Sequence, residues 1–327
     1  MSGHFDPQAA TRPMPGAKLM ESGGNPGDSL FGDWDQESSL ITDLPSLEPL
    51  PGLVAGRYLP MGVLGAGATA TVYEVQDQLD DQRKALKVLD LDDEVTLQRF
   101  LREIEVLRKL EHPALVPVLD HGDWSGRKFM VMERVEGPNL LDWIRSDAPP
   151  MPFAEAAVLF SDVAEALHEA HQAGIVHRDI KHGNLILETR PDGTRRLRVL
   201  DFGLAKAIDA GASLTHPDRV VGSPAFMCPE RLFAGATATV AWDVYSLGVV
   251  MHEVLSREPL FRAPSWAELM QLIRNRMPPF LSTMRADAPP VLDWLISEML
   301  AKDPWQRPSG CDVVARRLRR MGEQLGE

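Results

Sequence analysis

The chain has 327 residues, 44% of them hydrophobic and 25% charged, a make-up that excludes a fibrous, collagen-like or wholly disordered protein. Its formal net charge of −13 argues against general affinity for nucleic acid or anionic membranes, so no nucleic-acid partner is expected. Apolar runs fall far short of the ~20 residues that cross a bilayer, and no basic start precedes an apolar stretch, so neither a membrane span nor a secretory signal is expected. Cys228 and Cys311 cannot build a disulfide framework, and the expected setting is a reducing cytoplasm.

Residues 1–56 come first and differ from the rest. They hold seven Pro and eight Gly, and eight acids against Arg12 and Lys18. Such a segment buries too little apolar surface to offset its ordering entropy, which predicts a disordered acidic tail. Leu30–Phe31, Trp34 and Leu40–Leu53 are its apolar points, where a docking partner or an autoinhibitory contact would attach.

Strand-like stretches follow at Tyr58–Leu64, Thr71–Val75 and Ala85–Leu89, separated by Gly or Asp/Gln turns. Apolar residues at helical spacing then predict a helix over Val95–Leu110, stopped by Pro113. Leu115–Leu119 and Lys128–Met132 read as two more strands. After Gly137 the chain turns helical, with a long amphipathic helix over Phe153–Ala173 stopped by Gly174. Leu185–Leu187 and Leu197–Leu200 read as a hairpin around Pro191–Asp192–Gly193. Further helices are expected over Val240–Ser256, Trp266–Arg276, Val291–Leu300 and Asp312–Met321. The pattern is a β-rich small lobe with one helix and an α-rich large lobe, with a cleft between them suited to a ligand.

Three groups of residues carry chemistry. Gly65-Ala66-Gly67-Ala68-Thr69-Ala70-Thr71-Val72 lies in a strand–turn–strand, where glycines let backbone amides approach phosphate oxygens. A plain hairpin turn reads the same way in isolation. Lys87 lies on a strand that reads as buried, so it needs an anionic partner or must reach the surface along its stem. The helix Val95–Leu110 offers Glu103 and Glu105. The most specific group is His177-Arg178-Asp179-Ile180-Lys181-His182-Gly183-Asn184, in a loop, followed by Asp201-Phe202-Gly203 after a strand. Asp179, Asn184 and Asp201 supply oxygen ligands of the kind hard cations prefer, and Lys181 adds positive charge for a phosphate.

Together these motifs resemble the eukaryotic-type serine/threonine protein kinase family, over residues Arg57 to Met321. Further matches are Met132-Glu133-Arg134-Val135 as gatekeeper and hinge, and Gly222 to Glu230 closing the activation segment. Asp243 to Gly248 resembles the buried central helix, and Arg307 stands where a partner of Glu230 is expected. The resemblance implies an α+β bilobal fold. It divides the chain into a tail at 1–56, a small lobe and hinge at 57–135, a large lobe at 136–321 and a C-terminal tail at 322–327.

The implied activity is transfer of the ATP γ-phosphate to Ser or Thr hydroxyls of protein substrates, in signalling, with ATP and Mg2+ as cofactors. The resemblance places Leu64, Gly65, Ala66, Gly67, Val72, Ala85, Met132, Glu133 and Val135 around the nucleotide. Lys87 holds the α- and β-phosphates and pairs with Glu103. Asn184 and Asp201 hold magnesium, Lys181 neutralises the γ-phosphate and Asp179 orients the substrate hydroxyl. Asp243 braces the catalytic loop. Lys181, two positions after Asp179, resembles the serine/threonine branch, and Ser223 stands where that branch has threonine. Arg178 implies a phosphate acceptor in the activation segment, with Ser213 and Thr215 as candidates and Thr215 preferred.

Departures from the pattern are few. Ala70 replaces the third glycine and matters only if that position needs a positive φ. Cys228 replaces the usual alanine and is read as an inert small hydrophobe. His168 and His171, one turn apart, are read as helix packing rather than a zinc site. The run Arg316 to Arg320 is read as a solvated helix face. A pseudokinase scaffold and a small-molecule kinase of the related fold, such as an aminoglycoside phosphotransferase, stand as alternatives.

Overall fold

The computed structural model describes residues 50, 52–67, 70–89, 94–202, 224–233 and 235–326. Strands β1 (Tyr58–Gly67), β2 (Ala70–Asp77), β3 (Arg83–Leu89), β4 (Val118–Trp124) and β5 (Arg127–Glu133) form an antiparallel sheet in the order β1-β2-β3-β5-β4. Ser125 and Gly126, at φ of 50° and 77°, make the two-residue turn between β4 and β5, where the right-handed strand twist favours positive φ at both positions. Side chains alternate across the sheet. Ala70, Ala85, Leu89, Met130 and Met132 face the main core, while Tyr73, Val75, Leu86, Val88, Phe129 and Val131 form a second cluster on the outer face.

Leu50 and Val54 belong to that outer cluster, so the packed part of the chain starts by Leu50 and not at Arg57. Arg57 pairs with the fully buried Asp77 at 2.7 Å, and Lys84 reaches the same carboxylate. These two cations hold Asp77 well below the usual carboxylate range, the hydrogen bond from Arg57 contributing most. The rest of the expected acidic tail, residues 1–49, lies outside the described residues.

Helix α1 (Glu94–Leu107) crosses behind the sheet and buries Phe100, Ile104 and Leu107. It ends three residues before the expected Leu110. The strand expected over Leu115–Leu119 lies further along, at β4. Pro117 lacks an N–H to donate, and Leu115 instead makes an isolated parallel bridge with Val199.

The large lobe is built from α2 (Leu140–Arg145), α3 (Phe153–Gln172), the hairpin β6 (Leu185–Thr189) and β7 (Arg195–Val199), α4 (Val240–Ser256), α5 (Trp266–Asn275), α6 (Pro290–Met299) and α7 (Cys311–Gly326). α4 is apolar on nearly every side and runs through the middle of the lobe, as a helix surrounded by others must. Sequence patterning did not indicate α2, a short helix opened by Asn139, whose side chain accepts the Asp142 N–H. α7 runs five residues beyond Met321, so residues 322–326 are helix where a tail was expected.

Candidate active site

The cleft between the lobes is roofed by β1, β2, β3 and β5. Lys87 pairs with Val72 on one side and Met130 on the other, and Ala85 lies opposite Met132. The period of two puts these residues on the core-facing side of the sheet. Leu64, Gly65, Ala66 and Gly67 form the end of β1, with Gly65 opposite Val72 and Gly67 opposite Ala70. Ala70 is thus the first residue of a paired strand, not a left-handed turn position, and its methyl meets no backbone penalty. Ala68 and Thr69 lie outside the described residues. Met132 and Glu133 end β5, and Val135 follows in the connection to α2, with the Glu133 N–H donating to the Pro117 carbonyl at 3.3 Å.

The floor is the loop that follows α3. Gly174 ends that helix at φ 81°, a left-handed conformation glycine adopts freely. Asp243, fully buried on α4, accepts the His177 N–H at 2.7 Å and the Arg178 N–H at 2.9 Å. His171 Nε2 lies 2.8 Å from the same carboxylate, which accounts for this histidine without a metal. His168 sits apart, 3.9 Å from Asp312, and no group of three or more His, Cys, Asp and Glu gathers around either histidine among the described residues. The His177 ring is buried, lies 2.9 Å from the Leu200 carbonyl and packs on Phe202. Burial holds His177 below its ordinary pKa and therefore neutral.

Asn184 donates from Nδ2 to the Asp179 carbonyl at 2.8 Å and to its carboxylate at 3.2 Å. Lys181 Nζ stands 4.0 Å from that carboxylate. Asp201, at φ 44°, lies 2.8 Å from Lys87 Nζ through Oδ2, while its buried Oδ1 has no hydrogen-bond partner among the described residues. The geometry therefore brings Lys87, Asp179, Lys181, Asn184 and Asp201 to one cleft.

One expected pair is not formed. Lys87 bonds Asp201, and Glu103 faces Arg178 at 3.6 Å instead of Lys87. Asp201 offers the lysine an anion at hydrogen-bond distance, and α1 is placed so that Glu103 meets Arg178. Glu105, the other candidate, is exposed and pairs with His121 at 3.0 Å. Gly203, Ser213, Thr215 and Ser223 lie outside the described residues.

Around the cleft, Glu230 and Arg307 form the expected pair, with two contacts of 2.6 and 2.7 Å, the arginine fully buried. Cys228 is buried, and desolvation pushes its thiol well above the ordinary range, so it stays protonated and inert. Arg316 pairs with Asp312 on its own helix, Arg317 with Glu298 on α6, and Arg319 with Asp162 and Glu165 on α3.

Two arginines escaped the sequence reading. Arg198 on β7 reaches the hinge, 2.7 Å from Glu133, and Arg231 donates to the Arg178 carbonyl at 2.6 Å. Neither spacing nor periodicity distinguishes them from surface charges. Behind Met132, Leu107, Val118, Met130, Val199 and Phe202 line a small recess that also reaches Asp201.

This strand order, the one helix behind the sheet and the polar cleft over a helical lobe define a protein-kinase fold. A family model described as "Protein kinase domain" matches residues 58–318, and the chain belongs to the protein kinase family. It is 33% identical over 257 residues to serine/threonine-protein kinase PrkC of Bacillus subtilis, covering 78% of this chain and 39% of that protein. It is 33% identical over 276 residues to serine/threonine-protein kinase PknL of Mycobacterium tuberculosis, covering 84% of this chain and 67% of that protein. The chain thus spans about two-fifths of PrkC and two-thirds of PknL. Among solved structures, the PknI kinase domain of Mycobacterium tuberculosis superposes with a TM-score of 0.63 at 28% identity, covering 83% of this chain and 97% of that one. These relatives place the chain with the eukaryotic-type serine/threonine kinases of bacteria, a family whose phosphoryl donor is ATP. Among the described residues no helix is long and apolar enough to cross a membrane.

Proposed function

We propose that this chain is a serine/threonine protein kinase that transfers the γ-phosphate of ATP to Ser and Thr hydroxyls of protein substrates, in a cytoplasmic signalling role. The observation that carries the reading is the convergence on one cleft of Lys87, Asp179, Lys181, Asn184 and Asp201, at the distances given above. Phosphoryl transfer needs positioning and charge neutralisation more than covalent help, and these groups supply both.

Asp179 accepts the substrate hydroxyl and aims its oxygen along the line of attack. Asn184 fixes the Asp179 carboxylate from the side. Lys181 and Lys87 carry positive charge to the phosphate oxygens, Lys87 by exchanging its bond to Asp201 for one to the nucleotide. Glu133 and Val135 present their backbone groups to adenine beneath Leu64, Val72 and Ala85, with Met132 closing the back. The residues also fit magnesium. Asp201 keeps a buried carboxylate oxygen that no described residue hydrogen-bonds, and Asn184 commits its nitrogen to Asp179, which points to its oxygen as the ligating atom. Asp201 and Asn184 would hold Mg2+ there, and the ion would supply positive charge to offset that of the phosphates.

Arg178 stands ready for a phosphate on the activation segment, and we assign autophosphorylation to Thr215 or Ser213. The apolar points of the acidic N-terminal segment serve a docking partner. The Glu230–Arg307 pair, which braces the segment expected to seat a peptide, favours protein over small-molecule acceptors.

The test offers the chain MgATP with a serine peptide, a tyrosine peptide and an aminoglycoside, and reads ADP release and product mass. Phosphate on the serine peptide alone is expected. Transfer only to the aminoglycoside, or nucleotide binding without transfer to any acceptor, would contradict the reading.

A further inference from the structure

Arg178 adopts φ 66°, a left-handed conformation that residues with a Cβ disfavour. It immediately precedes Asp179, so its backbone sets where that carboxylate points. The structure holds this bend from three directions. On the N–H side Asp243 accepts from Arg178 at 2.9 Å. On the far side of the next peptide, the Asp179 N–H donates to His177 Nδ1 at 3.2 Å. The remaining polar group, the Arg178 carbonyl, accepts from Arg231 at 2.6 Å.

Arg231 is well placed for this. It sits on the short helical turn Pro229–Leu232, next to Glu230, which Arg307 anchors. Its guanidinium lies over the Trp242 ring, 5.2 Å from the centroid. Trp242 adjoins Asp243 on α4, so the first turn of that helix supplies one clamp directly and the platform for the other. Desolvation lowers the pKa of Arg231, but an arginine starts high enough to stay charged and to donate a strong, charge-assisted bond. Arg231 also lines a small recess with Arg178, Asp179, Phe226, Met227 and Ser246.

We propose that Arg231 is a positioning residue for Asp179. It clamps the Arg178–Asp179 peptide by its carbonyl and ties the aim of the acid to the turn that closes the activation segment. The inference rests on the kinase reading above and adds a residue to it. A lysine could replace the charge, but not the planar, multi-donor guanidinium that sits over the Trp242 ring.

The experiment measures kcat and KM, for ATP and for a serine peptide, in the full chain and in Arg231→Lys, Arg231→Met and Arg231→Ala, with melting temperatures alongside. Methionine keeps an apolar stem over Trp242 and removes only the donors, so it stays readable if alanine unfolds the protein. Losing one charge-assisted hydrogen bond predicts a fall in kcat of about tenfold to a hundredfold in Arg231→Met, with the KM for ATP within about twofold of wild type. Added guanidinium, at tens of millimolar, should restore part of kcat to Arg231→Ala and none to Asp179→Asn.

Wild-type kcat in Arg231→Met would overturn the proposal. So would a change confined to the peptide KM, which would make Arg231 a substrate contact. So would a loss that tracks a lowered melting temperature and ignores guanidinium, which would make it a structural prop. An inactive wild-type chain would instead remove the kinase reading, and this proposal with it.

Discussion

His182 sits inside the catalytic loop, between Lys181 and Asn184, with its ring fully buried against Phe226 at 5.1 Å. Burial pushes the imidazole from 6.5 down to about 3, outweighing a backbone hydrogen bond to Val250 that favours the charged form. The folded chain therefore refuses a proton that the unfolded chain accepts below pH 6.5. Stability from this group is complete above that pH and is lost as the pH falls toward 3, at up to ~1.4 kcal/mol per pH unit. Urea unfolding at several pH values between 6.5 and 4.5 should show a shallower slope in His182→Gln than in wild type. Equal slopes would show that His182 titrates normally in the fold. His177 and His252, also held neutral by burial, add to the wild-type slope and remain in the variant.

Elements differ in how plainly the sequence announces them. Helices α3 to α6 carry long apolar periodicity, and their expected and observed ends agree within one residue. β4 carries no such signal. It is an edge strand whose residues Asp120, His121 and Asp123 are polar, so an apolar run upstream drew the assignment away from it. Gly322 resembles a helix stop, yet α7 continues because α3 approaches closely there. A Cβ on Gly322 would lie 2.9 Å from Val158. The catalytic loop was legible because its chemistry is local in sequence. The partners of Lys87 and Glu103 were not, since the placement of α1 against Arg178 decides them and nothing local encodes it. Gly137, in the connection between the lobes, is needed for a different reason. It sits at φ 141°, and a Cβ would fall 2.3 Å from the Leu187 carbonyl oxygen. Gly137→Ala should therefore force the hinge off the β6 backbone and lower stability by about 2 kcal/mol or more, read by chemical denaturation. Wild-type stability in that variant would contradict the close approach.

On the scale of the whole molecule, two lobes meet where each contributes charge the other needs. The small lobe brings Lys87, the large lobe brings Asp201, Asn184 and Asp179, and α4 fixes the loop through Asp243. An overall charge of −13 would repel a polyanion in general, so nucleotide binding has to rely on this local concentration of cations. On the proposed function, removing Asp179, the acid assigned to aim the hydroxyl, should abolish transfer while leaving the fold and nucleotide binding in place. The direct measurement is intact mass with phosphosite mapping after incubation with MgATP, for wild type beside Asp179→Asn. Phosphate on Ser213 or Thr215 of the wild type, and none on a folded, nucleotide-binding mutant, is the predicted result. Equal phosphate on both proteins, or none on either, would contradict the account.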